Sequence, residues 1–165
     1  MAVARGLVAT DAGMQVLWHR KPFTHVVDYD TWEEELLDDA GIVRHIETGS
    51  VVPLSTGMDG AWEFIVRWGE DPALTEAEEQ HVAVKSEPYL LISETDVRVS
   101  GIEHITGNAE EDEGFAVSLP PGRWSVTTHL IDAEALGEAL DFVVLIKPDR
   151  GEQHRTDVQP FDRPQ

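Results

Sequence analysis

The chain contains no cysteine among its 165 residues. This absence excludes disulfide bonds, thiolate zinc sites, iron–sulfur clusters and cysteine nucleophiles. The sequence also lacks any apolar run close to the ~20 residues that a membrane-spanning helix needs. Residues 1–6 have no apolar core of a signal peptide, so we expect a cytoplasmic protein that does not associate with a membrane.

The common motifs of catalysis and nucleotide binding are missing as well. The sequence has no G-x-S-x-G elbow, no P-loop, no G-x-G-x-x-G and no H-E-x-x-H. We therefore assign no catalytic residue and no cofactor. Whether the protein is an enzyme stays open, and a protein without catalytic activity is the favoured interpretation.

Positive charge is scarce. The chain has 12 Lys and Arg against 32 Asp and Glu, which gives a formal net charge of -20. Because such a protein repels the phosphate backbone, we do not expect a nucleic-acid partner. Two explanations for the acidity remain open. The acids attract a basic protein partner, or a salt-loving or high-GC source makes all of its proteins acidic.

Short segments of period-two hydrophobicity dominate the sequence, and they are typical of half-buried strands. In the clearest, 61–68, three aromatic residues and a valine alternate with other residues. The pattern predicts an antiparallel β-sandwich or barrel of about nine strands, in a single β-rich domain 1–148 followed by a polar tail 149–165. The predicted strands are 14–19, 42–47, 61–68, 81–85, 89–92, 97–105, 115–119, 123–131 and 140–147, with a bulge at Gly101.

One short α-helix is predicted over residues 31–40. Asp30 would cap its first turn, Glu33 would complete a capping box, and Gly41 would end the helix in a left-handed conformation. Residues 28–39 hold seven carboxylates and no basic side chain. On a single helix, Asp38 and Asp39 would oppose the negative end of the helix dipole, so helix stability does not explain them.

This acidic helix is therefore our candidate surface for binding a basic partner. Trp18 and Trp32 flank the acidic segment and are candidates for an exposed anchor, an alternative to burial that stays open, whereas Trp62, Trp68 and Trp124 belong to the core. The predicted partner-binding residues are Asp28, Asp30, Trp32, Glu34, Glu35, Asp38 and Asp39.

Seven scattered histidines leave an alternative function open. Several of them occupy alternate strand positions, where two or three could converge with a carboxylate on a metal ion. The alternative is thus a β-barrel that binds a small ligand or a metal, with or without enzymatic activity. A calcium loop that starts at Asp28 is excluded, because Glu33 stands where such a loop needs glycine. We assign no metal ligand.

Three segments resemble a known family in their order along the chain. They are 61–68, 82–99 and 115–124, and the last contains a Leu-Pro-x-Gly-x-aromatic turn from Leu119 to Trp124. Together they resemble the competence-type nuclease inhibitors, small acidic proteins that bind and silence a DNA-entry nuclease and are akin to toxin-immunity proteins. The resemblance covers residues 12–147. It implies a β-rich fold and an inhibitor or immunity protein for a basic partner such as a nuclease.

Overall fold

A computed structural model describes residues 2–94 and 96–161 of the chain. The fold is mainly β, with ten strands and four short helices in these residues. The strands are β1 (Ala2–Thr10), β2 (Met14–His19), β3 (Val51–Ser55), β4 (Gly60–Trp68), β5 (Val82–Lys85), β6 (Tyr89–Ser93), β7 (Val97–Gly101), β8 (Phe115–Val117), β9 (Gly122–Ile131) and β10 (Phe142–Pro148). The helices are α1 (Tyr29–Leu36), α2 (Asp39–Glu47), α3 (Glu76–Gln80) and α4 (Ala133–Leu136).

The strands form two sheets. The larger has the order β1-β4-β10-β9-β5, with β6 also paired to β9, and the smaller has the order β3-β2-β7-β8. Strand β10 runs parallel to β4 and antiparallel to β9, so the larger sheet is mixed. An apolar strand suits this central position, because both of its faces are covered. The strands in the described residues do not close into a barrel.

One apolar core lies between the two sheets. Trp18 from the smaller sheet and Phe64 from the larger one are both fully buried in it. Phe64 stacks on Phe142 with ring centroids 4.9 Å apart. Trp62, Trp68 and Trp124 pack against this core but keep part of their surface in solvent. The expectation that these three tryptophans contribute to the core is therefore confirmed, although Trp18 is the most deeply buried tryptophan.

Three predictions of secondary structure are wrong. Residues 42–47 belong to helix α2, because Ile42 and Ile46 bury one helix face at four-residue spacing. Strands β1 and β3 were missed, as were three of the four helices. Gly101 is not a bulge. It ends β7, and a 3-10 turn over Ile102–His104 follows.

The segment after β10 packs on the domain up to the last described residue. Phe161 is 2 % exposed and meets Phe142 edge-on, with ring centroids 6.0 Å apart. The N–H of Phe161 donates to the carbonyl of Ser55 at 2.8 Å. Residues 162–165 of the predicted tail lie outside the described residues. No helix in the described ranges is long and apolar enough to cross a membrane.

Candidate partner-binding site

The acidic segment folds as two helices rather than one. Asp28 caps α1 by accepting a hydrogen bond from the Thr31 N–H at 2.9 Å, and Asp38 caps α2 by accepting one from the Gly41 N–H at 2.7 Å. The single helix over 31–40 is therefore wrong. Asp38 and Asp39 lie at the positive N-terminal end of α2, where the helix dipole favours them.

Gly41 also has a different role from the predicted one. It is buried in the first turn of α2, and a Cβ atom there would lie 2.4 Å from the carbonyl oxygen of Glu35. Such a distance is a steric clash, so the close approach of α2 to the end of α1 requires glycine. The pair of helices is thus joined by a tight turn at Leu37 and Asp38.

The side chain of Glu35 links helix α1 to helix α2. Its carboxylate accepts hydrogen bonds from His25, His45 and Arg44, each at 2.8 Å. Burial raises the pKa of Glu35, but the hydrogen bonds from His45, His25 and Arg44 outweigh burial and lower the pKa to about 2. The side chain of His45 is 9 % exposed, and its ring lies tilted against that of Phe23 with centroids 4.7 Å apart. Glu35 is therefore engaged within the fold.

The other predicted site residues fall into two groups. Asp30, Glu34 and Asp39 are exposed, and their side chains form no ion pair with a residue in the described ranges. Glu33 shares this property. The remaining residue, Trp32, is partly buried, and its indole N–H donates to the carbonyl of Ile102 at 3.0 Å.

An apolar groove of about 530 Å³ lies beside α1. It runs between the α1–α2 unit and the chain that follows β7. Three carboxylates border it, and no lysine or arginine among the described residues lines it. Its apolar walls are Val26, Val27, Tyr29, Trp32, Leu37 and Ile105, and the bordering acids are Asp28, Glu103 and Glu111.

Exposed apolar side chains concentrate at this groove. Val27 is 63 % exposed, Tyr29 64 % and Leu37 54 %. Tyr29 also stacks on Trp32, with ring centroids 6.0 Å apart. Clusters of large exposed apolar side chains with a polar rim are characteristic of interaction sites, whereas scattered single ones are common on any surface. The groove therefore has the character of a binding surface.

The buried guanidinium of Arg20 holds the wall of the groove that lies opposite α1. The Arg20 guanidinium donates to Asp96 at 2.7 Å, to the carbonyl of Thr106 at 2.5 Å and to Asp112 at 2.5 Å. It also lies over the ring of Trp18, 4.9 Å from the centroid. These contacts fix residues 106–112 against β2, so the wall is held by the fold.

Sequence reasoning found one side of this site and missed the other. The acids and Trp32 stood out because they are clustered in residues 28–39. The opposing residues, Glu103 to Thr106 and Glu111, are about 70 residues away and carry no local signal. The exposed side chains of Val27 and Leu37 also resemble ordinary core residues until the fold is known.

Two of the histidines, His25 and His45, meet at the carboxylate of Glu35. In the part of the chain that the structure describes, a single group of three potential metal-binding side chains occurs, formed by Asp149, Glu152 and His154. It lies in the loop after β10, in the segment that the sequence assigned to the polar tail.

Comparisons with known proteins show which solved structures have a similar fold. No family model matches the chain, and no curated protein matches it. Among solved structures, the chain is similar to the crocagin biosynthetic gene J protein, with a TM-score of 0.64 and 13 % identity over 90 % of this chain and 98 % of that one. It is also similar to ComJ from Bacillus subtilis, an inhibitor of the DNA-degrading activity of NucA, with a TM-score of 0.55 and 12 % identity over 88 % and 96 % of the two chains. At these identities the likeness shows that the chain shares its fold with a nuclease inhibitor.

Proposed function

We propose that this chain is an acidic protein-binding module that inhibits a basic protein, with a DNA-degrading nuclease as the partner class. The observation that carries the proposal is the apolar groove with exposed Val27, Tyr29 and Leu37, bordered by carboxylates and flanked by acids without ion pairs in the described ranges. The shared fold with ComJ supports the same class of partner.

The two components of the site have different physical roles. Asp30, Glu33, Glu34 and Asp39 attract a basic surface from a distance, because complementary charges at the rim of an interface act mainly on the association rate. The apolar groove acts after contact, because burying an apolar side chain removes its surface from water and slows dissociation. A nuclease suits both, since its DNA-binding cleft must be basic.

Inhibition of DNA degradation tests the proposal. Extract of the organism that produces this chain is assayed for DNA degradation with increasing amounts of the purified protein, and the nuclease that responds is purified for rate measurements. We expect saturable inhibition that weakens at ~0.5 M salt, because salt screens charges at the surface. If no DNA-degrading activity falls at a large excess of the chain, the inhibitor proposal is wrong.

Two charge variants then locate the interface. The site variant carries Asp30→Asn, Glu33→Gln, Glu34→Gln and Asp39→Asn. Its matched control removes the same charge from four exposed acids that do not line the groove, through Glu76→Gln, Glu79→Gln, Glu134→Gln and Glu138→Gln. We expect the association rate of the site variant to fall about tenfold or more, and the association rate of the control to fall much less. Equal slowing of the two variants would contradict the assignment of the interface.

A second pair of variants tests the groove. Leu37→Asn changes an exposed groove residue, and Met58→Asn changes a side chain of similar exposure, 63 %, in the turn between β3 and β4. We expect Leu37→Asn to raise the dissociation rate about tenfold while Met58→Asn leaves it unchanged, since affinity differences within one interface arise mostly in dissociation. Both side chains are exposed, so folding should be retained.

A further inference from the structure

A second site lies far along the chain from the groove residues, in the loop that leaves β10. Asp149, Glu152 and His154 each offer one potential ligand atom there, and these atoms lie within 4.8 Å of one another. The three residues fall within a six-residue segment. All three potential ligands therefore come from one short loop.

The two carboxylates are already oriented by the loop and by β9. Asp149 accepts hydrogen bonds from the Gly151 N–H at 3.0 Å and from the Arg123 guanidinium at 3.2 Å, and its side chain is 8 % exposed. Glu152 accepts one from the Arg150 N–H at 2.9 Å through Oε2. Second-layer donors of this kind hold the ligands of metal sites in place.

The imidazole completes the group. The side chain of His154 is 12 % exposed, and its Nε2 lies 3.8 Å from Asp149 Oδ1 and 3.3 Å from Ser125 Oγ. A Ser-His-Asp triad is excluded, because the serine and the carboxylate both face Nε2, whereas a triad needs the carboxylate at Nδ1. Ser125 is also 1 % exposed, so substrate could not reach it.

One oxygen at this site has no protein partner. Glu152 Oε1 is buried and makes no hydrogen bond with a described residue. A buried carboxylate oxygen without a donor is costly in free energy, and a cation bound there would remove that cost.

We propose that Asp149, Glu152 and His154 bind a divalent transition-metal ion of the Zn²⁺ class. One imidazole and two carboxylates are a donor set of that class, whereas Ca²⁺ and Mg²⁺ prefer oxygen ligands alone. The ion would tie residues 149–154 together beside Ser125 of β9, upstream of the segment that carries Phe161 into the core.

Isothermal titration of the chelator-treated chain tests this site. We expect one Zn²⁺ per chain with a Kd below about 10 µM, and Glu152→Gln or His154→Ala to weaken it at least about tenfold. The matched controls are Glu110→Gln and His81→Ala, which remove the same side-chain types outside the cluster and should leave the Kd unchanged. Ca²⁺ and Mg²⁺ titrations measure weak binding to the many surface acids.

Each result of the titration either supports the metal site or overturns it. Loss of the tight site in the two cluster variants alone, with retained folding by circular dichroism, supports the proposal. Absence of saturable Zn²⁺ binding overturns it, as does binding that the control variants weaken equally. Tighter binding of Ca²⁺ than of Zn²⁺ overturns the metal class. None of these results depends on the inhibitor function, because the titration uses the chain without a partner.

Discussion

Glu35 links α1 to α2, and its replacement by glutamine should destabilise the fold in a pH-dependent way. Its pKa is lowered from 4.5 to about 2 in the folded chain. At about 1.4 kcal/mol per pKa unit this shift corresponds to roughly 3 kcal/mol. The side chain is 21 % exposed, so solvent screens part of the interaction, and we expect Glu35→Gln to cost about 1–2 kcal/mol at pH 7.

The sign of the pH dependence follows from the direction of the shift. A carboxylate whose folded pKa lies below its unfolded pKa stabilises the fold fully above the unfolded value, near 4.5 for Glu35. The contribution is lost as the pH falls toward about 2. The contribution of the Glu35 charge to the difference between the wild type and Glu35→Gln should therefore be present above about pH 5 and shrink below it.

Urea unfolding followed by tryptophan fluorescence measures this difference at pH 7, 5.5, 4 and 3. Glu34→Gln is the matched control, because Glu34 is an exposed neighbour without an ion pair in the described ranges, and it should change the free energy of unfolding by less than about 0.5 kcal/mol. A Glu35→Gln cost that persists undiminished at pH 3 would refute the electrostatic origin of this link.

Three further predictions concern the core and the surface charge. Trp18→Ala should lower the free energy of unfolding by about 3–5 kcal/mol in urea titration, and Trp124→Ala by less, because Trp18 is 1 % exposed and Trp124 is only partly buried. Phe161→Ala should cost about 3 kcal/mol by the same measurement, and a neutral result would show that the segment 149–161 is not bound to the core. Raising NaCl from low concentration to ~0.5 M should increase the thermal midpoint, because salt screens the repulsion among 32 acids.

Strands with a clear apolar pattern were predictable from the sequence, and strands without one were not. Strand β4 and strand β9 appear within two residues of the predicted bounds, because their aromatic and β-branched residues alternate with polar ones. Strand β1 contains Gly6 and several alanines, and β3 contains Pro53, so neither has a strong strand pattern. Helix α2 was mistaken for a strand because its apolar residues are isoleucine and valine, and the Asp38 cap decides in favour of the helix.

The candidate site was predictable only where its signal is local. A cluster of acids is visible in the sequence. Which of these acids form ion pairs or hydrogen bonds depends on residues elsewhere in the chain. Glu35 is engaged within the fold because His25 and His45, each ten residues away, donate to it. Asp38 has a capping role that appears only once the break between the helices is known. The apolar groove arises from packing between segments distant in sequence, which no window of sequence contains.

The acidity of the chain has two explanations, and the two fourfold charge variants distinguish them. Many acids serve the fold: Glu78, for example, is buried in a pair with Arg67 at 2.6 Å. An organism that makes all of its proteins acidic would place acids without ion pairs on any exposed segment. Such a source gives no reason for Val27, Tyr29 and Leu37 to be exposed together beside these acids. The two fourfold variants remove the same charge, so steering by net charge alone slows both equally, and an acidity that reflects only the source slows neither. Only an interface at α1 and the groove makes the site variant slower than its control.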